Sequence, residues 1–246
     1  MPKRIFAALF VLAVLFSSSA IAKYSSQPTN QDTPLVVKKC SDFTINGKGD
    51  NAEWKKTEWV ALKKIDAGGK EHKSLFKILY SPAGIYVLFN VEDEKITSDY
   101  KNDFENLFTA DVVEVFFHTD PSFPLYFEYE ISPLEKELVL LIPNFKGNIG
   151  GWIPWHYEGK RKVQKKIIID GGEMKSNAPI KGWTAELFFP YQLLSPLQNV
   201  PPVSGARWNA NFCRLDYDTG KAVKWAWSPV ITSFHEYETY FSLVFE

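Results

Sequence analysis

From Leu35 onward the chain alternates apolar and polar side chains with a period of two, the signature of half-buried strands. The plainest case is Leu75 to Tyr80, then Ser81-Pro-Ala-Gly84, then Ile85 to Val91. Two β-rich runs flank Pro and Gly in turn positions, which predicts a hairpin with Ile85, Val87, Phe89 and Val91 on one face. A second hairpin is predicted from Asp111 to His118 and from Leu125 to Ser132, punctuated by Asp120-Pro-Ser-Phe-Pro124. In it Phe127, Tyr129 and Ile131 face one way, and Tyr126, Glu128, Glu130 and Ser132 the other. Further strands are expected at Lys136 to Ile142, ended by Pro143, and at Lys165 to Ile169, Gly182 to Phe189, Trp208 to Tyr217 and Phe241 to Phe245. Short helical turns fit Asn102 to Leu107 and Tyr191 to Leu194, and there is no long segment of period 3.6 and no internal repeat. Many short strands at regular spacing predict an all-β fold, an antiparallel β-sandwich of jelly-roll type with short helical turns in its loops.

The N-terminus has a different pattern. Lys3 and Arg4 precede an unbroken apolar run from Ile5 to Phe16, and Ala20-Ile21-Ala22 offers small residues at a cleavage position. That run is shorter than the ~20 residues a spanning helix needs, so residues 1–22 read as a signal peptide. Residues 23–37 read as a flexible leader, most polar from Lys23 to Pro34, and residues 38–246 as one domain. The expected location is periplasmic or extracellular, with no membrane span after signal removal. Cys40 and Cys213 stand near the two ends of the domain. In an oxidising compartment they can form a disulfide, and the alternative is two buried free thiols.

Charge is balanced, with 28 basic and 29 acidic residues, which gives no footprint for nucleic acid. Catalytic constellations are missing. His72, His118, His156 and His235 have no metal-ligand spacing, and there is no Gly-x-Ser-x-Gly elbow or phosphate loop. Carboxylates remain, because Asp111 with Glu114 and Glu128 with Glu130 fall on neighbouring strands. A glycosidase would use two carboxyls across a sugar, here Glu114 with Glu128 or Glu130. The same groups serve equally as acceptors for sugar hydroxyls.

Aromatic content changes the picture most, at 15% with 8 Trp. Phe104 and Phe108 precede the Asp111 strand, Gly150 to Tyr157 holds Trp152 and Trp155, and Trp225, Trp227, Phe234 and Tyr237 precede the last strand. Flat rings stack on the apolar faces of pyranoses while polar neighbours fix the hydroxyls. For Trp225 and Trp227 core packing is the competing reading, since alternation puts both on one strand face.

The chain resembles the family 9 carbohydrate-binding modules. The residues that carry the resemblance are Ile45 to Trp54, Phe89 to Glu94, Asp111 to Phe117, Tyr126 to Pro133, Gly182 to Pro190, Arg207 to Arg214 and Trp227 to Pro229, in that order. The resemblance spans about residues 38 to 246. It implies a non-catalytic sandwich that holds an oligo- or polysaccharide between two stacked aromatics during polysaccharide recognition or breakdown, with structural calcium in some members. Phe108 stands where the family's first stacking tryptophan does, six residues before Glu114. Glu130 and Ser132 stand where the family can carry Arg and Asn. Trp227 or Phe234 would supply the second ring, and Trp152 and Trp155 are added from the residue reading. For calcium, Asp50, Glu92 and Asp93 offer hard oxygen ligands. A third reading, a haem-binding sandwich, would depend on Met174 as an axial ligand.

Overall fold

A computed structural model describes residues 33–155 and 157–246. The signal-like residues 1–22, most of the leader and His156 lie outside the described residues. Fifteen strands are described: β1 (Leu35–Lys39), β2 (Val60–Ala61), β3 (Lys63–Lys64), β4 (Ser74–Tyr80), β5 (Gly84–Glu92), β6 (Val112–His118), β7 (Leu125–Ile131) and β8 (Glu137–Phe145). They continue as β9 (Asn148–Ile149), β10 (Ile153–Pro154), β11 (Gln164–Asp170), β12 (Gly182–Pro190), β13 (Arg207–Asp216), β14 (Val223–Ala226) and β15 (Phe241–Phe245). One short helix, α1 (Tyr191–Leu194), falls where expected, whereas the turn near residue 102 forms later, as a 3-10 turn at Leu107–Thr109.

The strands make the expected β-sandwich. One sheet runs β10-β8-β7-β6-β13-β15, the other β4-β5-β12-β11, and β1 belongs to both. Its first half pairs in parallel with β15 and its second half in parallel with β4, so one strand stitches the two sheets together. That strand begins at Leu35, inside the stretch read as leader. The other pairings are antiparallel.

Alternation decides which residues meet between the sheets. Val113, Val115 and Phe117 of β6 and Phe127, Tyr129 and Ile131 of β7 face Ile78, Val87, Phe89, Ala185 and Leu187 of the other sheet. Phe76 stacks on Phe212 with ring centres 3.9 Å apart. Each fully buried side chain of this kind stabilises by ~1.5–3 kcal/mol. At the β4–β5 turn a Cβ on Gly84 would sit 2.2 Å from the Phe189 carbonyl oxygen, which explains the glycine there.

One strand departs from expectation. Pro143 does not end β8, which runs on to Phe145 with Pro143 paired to Leu125. The Pro143 carbonyl accepts from the Gly150 backbone just beyond β9, so its missing N–H points away from β7 and costs the β7 ladder no bond.

Candidate functional site

The second hairpin places three carboxylates on the outer face of its sheet. Glu114 on β6 lies directly opposite Glu130 on β7, and Phe116 lies opposite Glu128. Directly opposed side chains have Cβ atoms ~4.5–5.5 Å apart, so the acids crowd one another. Cys213 of β13 flanks Glu114 on its other side. This outer face is covered. Leu107 from the turn before β6, and Val230, Phe234 and Tyr240 from the segment before β15, close a second apolar cluster over it. As a result Glu114, Glu128 and Glu130 are only 2%, 3% and 1% exposed.

Burial raises all three carboxyls above the ordinary range, Glu128 to about 8. The charge of Glu128 adds to the shift of Glu114, and those of Glu114 and Glu128 add to that of Glu130. Glu128 Oε2 and Glu130 Oε2 are buried without a hydrogen-bond partner. His235 Nδ1 lies 3.8 Å from Glu128 Oε2 and hydrogen-bonds the Tyr126 hydroxyl at 2.7 Å. Burial pushes His235 down to about 4, so the imidazole stays neutral beside the acids at neutral pH.

Above the acids is a rim of rings. Trp152 is 47% exposed, stacks on His235 at 5.6 Å and 29°, and meets Phe108 edge-on at 5.8 Å. The Tyr217 hydroxyl donates to the Phe108 carbonyl at 2.8 Å and fixes that turn. Phe108, Glu114, Glu130, Trp152 and Phe234 are thus brought to one place. Ser132 lies one row further along the same face, buried in the β7–β8 turn, where its hydroxyl accepts from the Lys136 backbone.

Two expected rings are elsewhere. Trp155 packs against the inter-sheet core and donates from Nε1 to the Leu193 carbonyl, with Arg161 over its face. Trp227 also packs on that core, edge-on to Phe76 and Phe241. In both cases strand alternation turns the ring to the inner side. His235, Tyr126 and Tyr217 were not anticipated. Tyr126 shares its face with Glu128 and was legible by alternation. His235 comes from a connection where no periodicity points, and Tyr217 closes the expected Trp208 to Tyr217 strand, one residue beyond β13.

A glycosidase needs one ionised carboxylate and one protonated acid, set apart by their surroundings. Here burial raises all three carboxyls, and a Glu128–Glu130 hydrogen bond lowers Glu128 while it raises Glu130. Met174 is on the surface at 43% exposure, which gives haem no enclosed axial ligand.

Residues 45–135 match the model of the carbohydrate family 9 binding domain-like family. The resemblance to the family 9 modules is borne out. No curated protein matches the chain. A solved structure from Bacteroides uniformis ATCC 8492, of a protein whose proposed role is carbohydrate binding, aligns at TM-score 0.67 with 15% identity, covering 87% of this chain and 99% of that one. A carbohydrate binding module family 9 from Caldicellulosiruptor kristjanssonii aligns in its glucose complex at TM-score 0.62 and in its cellotriose complex at 0.60, both at 12% identity. Those alignments cover 87% of this chain and 96% and 94% of the others. At such identities the likeness is one of fold.

The chain also gathers three aspartates. Asp93 after β5, Asp111 before β6 and Asp218 after β13 offer oxygens that all lie within 4.8 Å of one another. Burial raises Asp93 to about 6, and burial with the Asp93 charge raises Asp111 to about 8. Asp218 Oδ2 is buried without a partner. Hard oxygen donors under mutual repulsion suit calcium. Of the three ligands expected, only Asp93 takes part. Asp50 bonds the Asn46 amide and Glu92 accepts from the Lys73 backbone, both exposed.

Cys40 and Cys213 are free thiols in separate clusters, one on each outer face of the sandwich. Packed sheets lie ~10 Å apart, whereas a disulfide needs Cα atoms within ~7 Å, so the bridge cannot form in this fold. A groove of about 620 Å³ opens on the other sheet among His72, Asn90, Glu92, Asp170, Lys181 and Thr184. Its one tryptophan, Trp183, is 1% exposed and faces the core.

Proposed function

We propose that this carbohydrate-binding domain holds its sugar at the Glu114 face without cutting it, in an exported system that recognises or degrades polysaccharide. The observation that carries the reading is the half-exposed Trp152, set with Phe108 beside the buried acids. A ring that keeps 47% exposure in a Gly-flanked connection is poorly explained by core packing. It offers the flat apolar surface a pyranose stacks on. The solved family 9 module held glucose and cellotriose, which supports a sugar as the ligand class. The signal-like N-terminus supports export.

Calorimetric titration with a panel of oligosaccharides tests this reading. Trp152→Ala is expected to weaken binding roughly tenfold. Trp227→Ala instead lowers stability, by roughly 3 kcal/mol. Sugar binding that is indifferent to Trp152 would sink the assignment of the face, and reducing-sugar release would sink the non-catalytic part.

We also infer that Asp93, Asp111 and Asp218 hold a structural calcium ion. Its contribution would be electrostatic, neutralising acids that otherwise repel. A calcium-dependent melting temperature tests the assignment.

A further inference from the structure

We propose that the open edge of β11 is a pairing surface for the same edge of a second copy of this chain, and that Glu135 holds it shut. β11 is the last strand of its sheet, so one side of its backbone has no neighbouring strand. The Asp170 carbonyl accepts from the Lys181 backbone on the β12 side, and alternation turns the N–H groups of Lys165, Ile167 and Ile169 the other way. An edge of this kind, with Ile167, Ile168 and Ile169 in succession, is a template for a further strand.

The edge is complementary to itself. Laid antiparallel about Ile168, two copies set Lys166 opposite Asp170 on both sides of the axis, Ile168 opposite Ile168, and Ile167 opposite Ile169. Opposite charges and β-branched side chains are favourable cross-strand neighbours. Lys166 and Asp170 are both exposed, and Ile168 keeps 41% exposure that this pairing would cover. The register also brings the outward N–H groups of Ile167 and Ile169 to facing carbonyls.

Glu135 stands where the second strand would lie. It reaches out of the β7–β8 turn, and its Oε1 accepts from the Ile167 backbone at 3.2 Å, the bond a pairing strand would otherwise take. The turn holds Glu135 in the left-handed region at φ 59°, which a residue without the freedom of Gly or Asn seldom occupies. A charged side chain laid on an edge is one way folded proteins prevent sheet-to-sheet association.

Sedimentation velocity of the full chain over a concentration series tests the inference. The wild type is expected to stay monomeric, and Glu135→Ala to self-associate roughly tenfold more tightly or better. Glu135→Ser, too short to reach Ile167, is expected to match Glu135→Ala, whereas Glu135→Gln keeps an acceptor oxygen and is expected to match the wild type. Adding Lys166→Glu to Glu135→Ala sets like charges against Asp170 and is expected to restore the monomer. Near-ultraviolet circular dichroism confirms the fold of each variant. Folded Glu135→Ala or Glu135→Ser that self-associates no more than the wild type overturns the inference. A dimer that survives Lys166→Glu also overturns it, because the contact then lies away from this register.

Discussion

The three glutamates tie the site to stability through their protonation. A carboxyl whose pKa is raised on folding contributes stability that is complete below its unfolded value, near 4.5, and is lost as pH rises through the folded value. For Glu128 that loss runs up to about 8. Glu114 and Glu130 act in the same direction. His235 opposes them, since its lowered pKa makes stability rise between about 4 and 6.5, and it adds nothing above that. The melting temperature is therefore expected to fall between pH 6.5 and about 8, and Glu128→Gln to flatten the fall. A melting curve that is level over this range in the wild type would show that the acids are not buried as described.

Strand pairing was legible in the sequence wherever alternation was unbroken. Both hairpins formed within a residue or two of expectation, because turn residues and period-two runs act locally. Glu114 and Glu130 were legible for the same reason, since the register of one hairpin sets them opposite. The rings were less so. Trp152 and Trp155 are three positions apart across β10, an odd offset that sends them to opposite faces, and loop composition gives no parity. Phe234 reaches the site and Trp227 does not, since the one packs in the outer-face cluster and the other on the inter-sheet core. Calcium acts at this scale too, since Asp93, Asp111 and Asp218 join the ends of β5, β6 and β13. Added calcium is expected to raise the melting temperature, and Asp218→Asn to remove that increment without altering the metal-free stability by more than about 1 kcal/mol. An identical calcium response in Asp218→Asn would assign the ion elsewhere.

Across the whole molecule, β1 ties the two sheets at the start of the described domain, the β2–β3 segment bridges them again by pairing β4 and β14, and no disulfide helps either. Burial holds the Cys40 thiol at about 12 and pushes Cys213 well above the usual range, so both stay protonated and inert in the fold. Alkylation of the native protein is expected to label neither thiol quickly, and alkylation after unfolding without reductant to label both. Failure of the unfolded protein to label would reveal a bridge and a different relation between the sheets. The whole-molecule view also sets two surfaces in competition, the Glu114 face with its rings and the 620 Å³ groove on the opposite sheet, whose tryptophan faces the core. A crystal structure of the protein with a bound oligosaccharide decides between them. The account predicts a pyranose stacked against Trp152 and Phe108. A sugar seated among Asn90, Glu92 and Asp170, with the Glu114 face empty, would contradict it.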